Sequence, residues 1–328
     1  MDFVLHNHSS YPRIGDKPGQ QRLRRALAAR ERAEIDAAEF ATIERAAVDE
    51  IVHEQEQAGL DIVTDGQIRW YDPISHVMGA MDGVRINGLL RYFDTNFYFR
   101  QPVVQAAVKR RRPIACEDFR LATLAARRPV KPVLPGPYTL ARLSVSESGA
   151  YTSVAALAHA LSESLAAEIE DLARAGAQFI QLEEPAILAH PEDIRLLRQL
   201  LEPLWAACGT ARLVVATYFG DAEPLYAQLN SLPADILALD FTYSPRLRET
   251  IASVGASKIL ALGLVDGRTT RLEHADAIAE QVDTLLRHYA LDAVHLLPSC
   301  GLEYLPRDRA RAKLDVLATA RRLLTSQP

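Results

Sequence analysis

Eight short aliphatic and β-branched runs recur along the chain, each ending in polar or charged residues and followed by an amphipathic stretch of helix length. The first four are Phe3-Val4-Leu5 into His6 and His8, Leu60–Val63 into Asp65, Val130–Leu134 into Gly136, and Phe179–Leu182 into Glu183 and Glu184. Leu213–Val215 leads into Thr217 and Tyr218, and Ile236–Leu239 into Asp240. Ile259–Leu262 leads into Asp266, and Val294–Leu297 into Ser299 and Cys300. Strands that alternate with helices pair in parallel, and eight such units close a barrel. The pattern therefore predicts an α/β fold, a (β/α)8 TIM barrel. Residues just past the strands of such a barrel gather at one mouth, so the polar run ends are the first candidates for chemistry.

Between the strands, Asp36 to Gln57 carries Phe40, Ile43, Val48 and Ile51 at helical spacing, and Gly59 supplies its C-terminal cap. Tyr151 to Gly176 predicts one long helix. Shorter helices are expected over 191–207, 221–231, 245–254 and 270–289, and a closing helix over 308–324. Residues 83–116 are the least regular part and hold Tyr92, Phe93, Phe97, Tyr98 and Phe99. They read as an insertion after the second strand, lying over the mouth. The 328 residues fit one barrel domain over 1–328 with this insertion.

A net charge of −5 argues against nucleic acid or an anionic membrane as partner, and no apolar run approaches the roughly 20 residues that cross a bilayer. Three cysteines in a chain of this length make no disulfide framework, which predicts a cytoplasmic protein. The start, Met1-Asp2-Phe3-Val4, lacks the basic segment of a signal peptide. Arginine-rich stretches such as 24–32 read as solvated helix faces.

Candidate chemistry follows from residue type and spacing. His6 and His8, two residues apart, share one face of an extended strand and make a metal half-site or a hydrogen-bonded cap. Glu183, Glu184 and Asp65 are carboxylates at the mouth, suited to acid–base work or to holding an ammonium group. Cys300 is a metal ligand or a nucleophile. Cys116 and Cys208 read as inert fillers.

Several motifs narrow this. Ser10-Tyr11-Pro12-Arg13-Ile14-Gly15, Trp70-Tyr71-Asp72, Lys131-Pro132-Val133-Leu134 with Gly136-Pro137, and Gln181-Leu182-Glu183-Glu184-Pro185-Ala186 resemble the cobalamin-independent methionine synthase family. So do Thr217-Tyr218-Phe219-Gly220, Gly263-Leu264-Val265-Asp266-Gly267-Arg268 and Ser299-Cys300, in family order over about residues 5 to 315. The family enzyme has two barrels, and this chain has the length of one. The resemblance is nearer the N-terminal barrel, through the Tyr11, Trp70, Asp94-Thr95-Asn96 and Thr217 motifs.

The resemblance implies a methyl group moved from methyltetrahydrofolate, or from a methylcorrinoid, to a small thiol such as homocysteine. In the family's C-terminal barrel a His-x-Cys pair, a glutamate and a cysteine hold zinc, whose charge makes the acceptor thiol a thiolate. Here the His-x-Cys positions fall on Ala216 and Tyr218, the glutamate position on Asp240 and the last cysteine on Cys300. A rearranged zinc site would use Cys300, Asp240, His6 and His8. By position Ser10 corresponds to the substrate-carboxylate contact and Glu183 to an ammonium contact, while Gln67 replaces a second such carboxylate. Trp70 and Tyr218 complete the expected substrate-binding set. Arg22, Arg24 and Arg25 correspond to the basic folate-binding segment, since guanidinium forks suit a glutamyl tail.

Three functions fit the sequence. The first is the methyltransferase, acting on a small-molecule thiol or amino-acid substrate. The second is a lyase or hydrolase on a small carboxylated substrate, with Glu183, Glu184 or Asp65 as base. The third is a non-catalytic folate-binding barrel. A second, zinc-bearing barrel or a corrinoid protein is the expected macromolecular partner.

Overall fold

The aliphatic runs pair in parallel in the computed structural model, which describes residues 2–147, 149–287 and 293–326. Strands β1 (Asp2–Leu5), β2 (Met81–Arg91), β3 (Tyr98–Arg110), β4 (Val133–Pro135) and β5 (Val145–Ser146) occupy the first half. Strands β6 (Phe179–Glu183), β7 (Arg212–Thr217), β8 (Ile236–Asp240), β9 (Ile259–Val265) and β10 (Ala293–Pro298) follow. The main sheet is parallel throughout, in the order β1-β10-β9-β8-β7-β6-β4. The gap between β1 and β4 is bridged by the Leu60–Val63 run, through parallel bridges His6 to Ile62 and Val63 to Val130. Thus the predicted second strand is reduced to two bridges, and it still closes the barrel.

Helices α1 (Arg22–Glu31), α2 (Ala37–Gln57), α3 (Pro73–Met78), α4 (Cys116–Ala125), α5 (Pro137–Arg142) and α6 (Val154–Arg174) pack outside, with α7 (Ile194–Ala207). They are joined by α8 (Tyr226–Leu229), α9 (Leu247–Val254), α10 (Ala275–Leu286) and α11 (Arg307–Thr325). Local chemistry sets the ends. The Asp36 carboxylate accepts from Glu39 N at 2.8 Å to start α2, and Gly59 (φ 87°) stops it in the left-handed region. The helix expected over 221–231 is instead a 3-10 turn over Glu223–Leu225 followed by α8. The one expected over 270–289 is α10; residues 288 and 289 lie outside the described residues.

The insertion is more regular than its sequence suggests. β2 and β3 form an antiparallel hairpin whose register shifts at Asp82/Val84 and Ile86/Leu89. At its base Arg110 donates to Glu168 (2.6 Å) and Asp171 (2.5 Å) on α6, and Glu168 also accepts from Ile114 N and Ala115 N. At its tip Arg268 Nη2 donates to the Asp94 carbonyl at 3.1 Å. Held at both ends, the hairpin lies across the mouth.

Side chains alternate along barrel strands, and the inner face is unusual. Val214, Ala216, Ile236, Ala238, Ala261 and Leu297 fill one side with small and branched groups, as barrel interiors normally are. The other side is polar: His6, Lys131, Gln181 and His295 are all buried there. His6 and His295 meet edge to face at 5.1 Å, and Lys131 Nζ lies 2.9 Å from His6 Nδ1. Lys131 also donates to Gln181 Oε1.

Candidate active site

Above this polar column, at the C-terminal ends of the strands, Glu183 is the meeting point. It follows Gln181 on the inner face of β6 and is buried. His8 Nδ1 lies 3.2 Å from its Oε1, and the Tyr218 hydroxyl donates to its Oε2 at 3.0 Å. Tyr218 Oη is in turn 3.2 Å from the hydroxyl of Tyr92, carried by the hairpin. Burial holds the His8 imidazole below its ordinary value, against the pull of Glu183, so it is neutral at pH 7. Burial and the Glu183 charge hold both phenols well above theirs.

Over Tyr92 opens a cavity of about 250 Å³. Ser10, Arg13, Gln67 and Trp70 line it from the β1 side, with Tyr92, Phe97, Tyr98 and Phe99 from the hairpin and Glu303 and Tyr304 from the loop after β10. Two buried polar atoms there have no partner, Ser10 Oγ and Glu303 Oε2. They converge beside Gly301, where a Cβ would collide with both. Burial, reinforced by the Glu183 charge, pushes the Glu303 carboxyl up to about 8. Trp70 is fixed by its indole N–H to Asp118 (2.7 Å) and by stacking on His76 at 4.2 Å.

The expected residues divide accordingly. Ser10, Gln67 and Trp70 line the cavity, while Glu183 and Tyr218 lie below its floor and reach it through Tyr92. Asp65 is buried beside them without lining the cavity; burial and then the Asp118 charge raise it to about 7. Glu184, expected among the acid–base groups, points away from the mouth. It accepts from Tyr138 N (3.0 Å), Thr139 N (2.7 Å) and Thr139 Oγ1 (2.6 Å) and so caps α5. Adjacent strand residues face opposite sides, so only one of the pair could face inward. Arg22, Arg24 and Arg25, expected at a folate tail, are exposed on α1 and none lines the mouth cavity.

The expected metal ligands are not brought together. Among the described residues no group of three or more His, Cys, Asp or Glu is placed to hold a metal ion. His6 sits a layer below the mouth against Lys131, whose cationic form opposes a dication, and Nδ1 of His8 is engaged by Glu183. Asp240 spends one oxygen on Thr242 N (2.8 Å) and Thr242 Oγ1 (2.6 Å), capping the turn after β8. Cys300 is buried and held well above the ordinary thiol value by burial and the Asp240 charge, which also disfavours a thiolate nucleophile. With Ala216 apolar and Tyr218 bonded to Glu183, these residues do not fit a zinc ion.

Lys131, Glu303, Tyr92 and His295 were not singled out from the sequence as functional. Glu303 had a signal: it is a carboxylate three residues past Cys300, in a mouth loop. Tyr92 had only its place among the insertion's aromatics, and Lys131 only its place in a motif.

Comparison with known proteins follows the same lines. Residues 11–322 match the sequence-family model described as "Cobalamin-independent synthase, Catalytic domain". The methionine synthase of Sulfurisphaera tokodaii is 27% identical over 307 residues, covering 92% of this chain and 88% of that protein. That of Thermococcus kodakarensis is 26% identical, covering 92% and 89%. Among solved structures, a B12-independent methionine synthase from Shewanella sp. W3-18-1 in complex with selenomethionine superposes with a TM-score of 0.79 at 21% identity, over 98% of this chain and 97% of that one. One from Listeria monocytogenes gives 0.73 at 19% identity, over 98% and 99%.

Proposed function

Because the chain belongs to the family of cobalamin-independent synthase catalytic domains, and so is a methyltransferase of that family, we propose that its mouth cavity binds a small α-amino-acid thiol of the homocysteine type as methyl acceptor. The observation that carries this reading is the pair of unpartnered atoms, Ser10 Oγ and Glu303 Oε2, on one side of a cavity of about 250 Å³. A hydroxyl suits the substrate carboxylate, with Arg13 on the same wall, and a carboxylate suits the ammonium. Glu303 thereby supplies the charge that is missing at Gln67.

The methyl donor in this reading is a reduced folate. Tyr71 and Tyr98 are 62% and 55% exposed at the cavity rim, beside Trp70 and Phe97, and offer a planar heterocycle a face to stack on. A corrinoid would not enter a cavity of about 250 Å³ and would have to act from its rim. The test is product formation from homocysteine with methyltetrahydrofolate and, separately, with methylcobalamin. Turnover with the folate alone supports the reading; turnover with the corrinoid alone replaces the donor and keeps the acceptor.

Glu303→Gln is expected to raise the acceptor KM by roughly 10- to 100-fold, the value of one charge-assisted hydrogen bond of about 1.5–3 kcal/mol. Since the free carboxyl titrates at about 8, most of it is protonated at pH 7, and an arriving ammonium stabilises the ionised form. Acceptor binding at pH 7 should therefore release a proton that Glu303→Gln does not release. Calorimetry in buffers of different ionisation enthalpy reads this directly, and equal proton release by both proteins would remove Glu303 from the acceptor site.

A further inference from the structure

We propose that Tyr92, Tyr218 and Glu183 form a proton relay that takes the hydrogen of the acceptor thiol, a task for which no set of metal ligands is brought together among the described residues. The inference rests on the reading that the cavity binds a thiol. Tyr92 is part of the cavity floor, its hydroxyl is 3.2 Å from that of Tyr218, and the Tyr218 hydroxyl is 3.0 Å from Glu183 Oε2. Both spacings are within the reach of acid–base groups, that between the two phenols at its upper end. The far end is a carboxylate whose other oxygen is held by His8 at 3.2 Å. Tyr218 stands at one of the two positions where the family resemblance puts a zinc ligand. A phenol wired to a base thus takes the place of a metal.

The thiol proton passes to Tyr92 Oη as the Tyr92 proton passes to Tyr218 and the Tyr218 proton to Glu183 Oε2. The sulfur electron pair forms the new S–C bond, the C–N bond of the methylated folate amine, which has taken a proton from solvent, breaks, and its electron pair stays on nitrogen. The products are a thioether, a neutral secondary amine and protonated Glu183, which returns its proton to solvent after product release.

A thiol is intrinsically a far weaker acid than a carboxylic acid, so complete transfer before attack would be uphill. The relay must act during attack, as general-base catalysis, for which about 10²–10⁴-fold is usual. The groups facing Glu183 fit that role. His8 Nδ1 lies 3.2 Å from it, Lys131 lies below across Gln181, and Tyr218, Tyr92 and Glu303 close it from above. These bonds keep the carboxylate in one orientation toward Tyr218.

The experiment compares wild type, Tyr218→Phe and Tyr92→Phe, with kcat measured across pH using homocysteine and then selenohomocysteine. Each variant removes one link and keeps the ring. With the thiol, both variants should lose about 10²-fold or more in kcat near pH 7 and recover about tenfold per pH unit as the thiol ionises unaided. With the selenol, already ionised at neutral pH, both should remain within a few-fold of wild type. A packing defect would lower both acceptors alike. Metal analysis of the same preparations should find well under one zinc per chain. Variants that match wild type with homocysteine at every pH, variants equally impaired with the selenol, or stoichiometric zinc would each overturn the relay and leave the acceptor reading standing. Failure of homocysteine to bind the wild-type protein would overturn both.

Discussion

Replacing Glu184 by alanine is expected to cost the fold about 3–6 kcal/mol, enough to unfold much of the population of a protein of ordinary stability. The side chain is completely buried, and its two oxygens accept three hydrogen bonds from Tyr138 N, Thr139 N and Thr139 Oγ1. These are donors at the first turn of α5, where no intrahelical partner exists. Removing the acceptor strands buried N–H groups at about 1–3 kcal/mol each and leaves a void besides. Gly136 packs its backbone against the carboxylate, so the void would open directly beside it. Urea denaturation would read the loss. Glu184→Gln should fall between, since its carbonyl oxygen still accepts while its amide group faces other donors. Glu183→Gln, one residue away, should do the reverse, lowering turnover while costing stability far less. If Glu184→Ala unfolds at the wild-type urea concentration, the capping assignment is wrong.

The contrast between these neighbours shows what the sequence could carry. The strand-and-helix alternation made the barrel legible, because a parallel strand buried on both faces reads as a run of Val, Ile and Leu. The run ends pointed to the mouth as a region, yet the direction of each side chain was lost. Which of Glu183 and Glu184 faces inward depends on the phase of a period-two pattern, and within Phe179–Leu182 that phase rests on the single polar residue Gln181. The β2–β3 hairpin was illegible for a related reason: most of β2 is exposed and its register is interrupted twice, so it shows no apolar alternation. Lys131 was hidden by chemistry. A lysine before a proline reads as a loop cation, and nothing local shows that it points into a barrel where His6, Gln181 and His295 have also been placed. The expected metal ligands are separated for a different reason. His6 and His8 do share a face, but one strand step separates them along the barrel axis, and each is engaged by a different partner, Lys131 and Glu183.

That buried lysine leads to the second large effect. Among the described residues no carboxylate pairs with Lys131; its ammonium has Gln181 Oε1 and His6 Nδ1 as partners. Burial lowers it to about 7, from an ordinary value near 10.4. Because the folded value is depressed, the contribution of Lys131 to stability is full above the unfolded value and is lost as pH falls through about 7. Lys131→Met keeps the chain length and removes the titration. At about pH 9 the variant should be the less stable by about 1–2 kcal/mol, since Gln181 and His6 lose a partner. Between about pH 9 and pH 6 the comparison should move by about 2–3 kcal/mol toward methionine, so that the two melting temperatures converge or cross. His6, His8 and His295 also titrate below their ordinary value, burial being the largest cause. His6, His8 and His295 feel the Lys131 charge as well, so the shift belongs to the whole column, and the difference between the two proteins reads the lysine together with its effect on these imidazoles. A stability gap that is constant from pH 9 to pH 6 would mean that the ammonium finds solvent or an anionic partner inside the barrel. In that case the polar column could not be the dry support that keeps Glu183 oriented toward Tyr218.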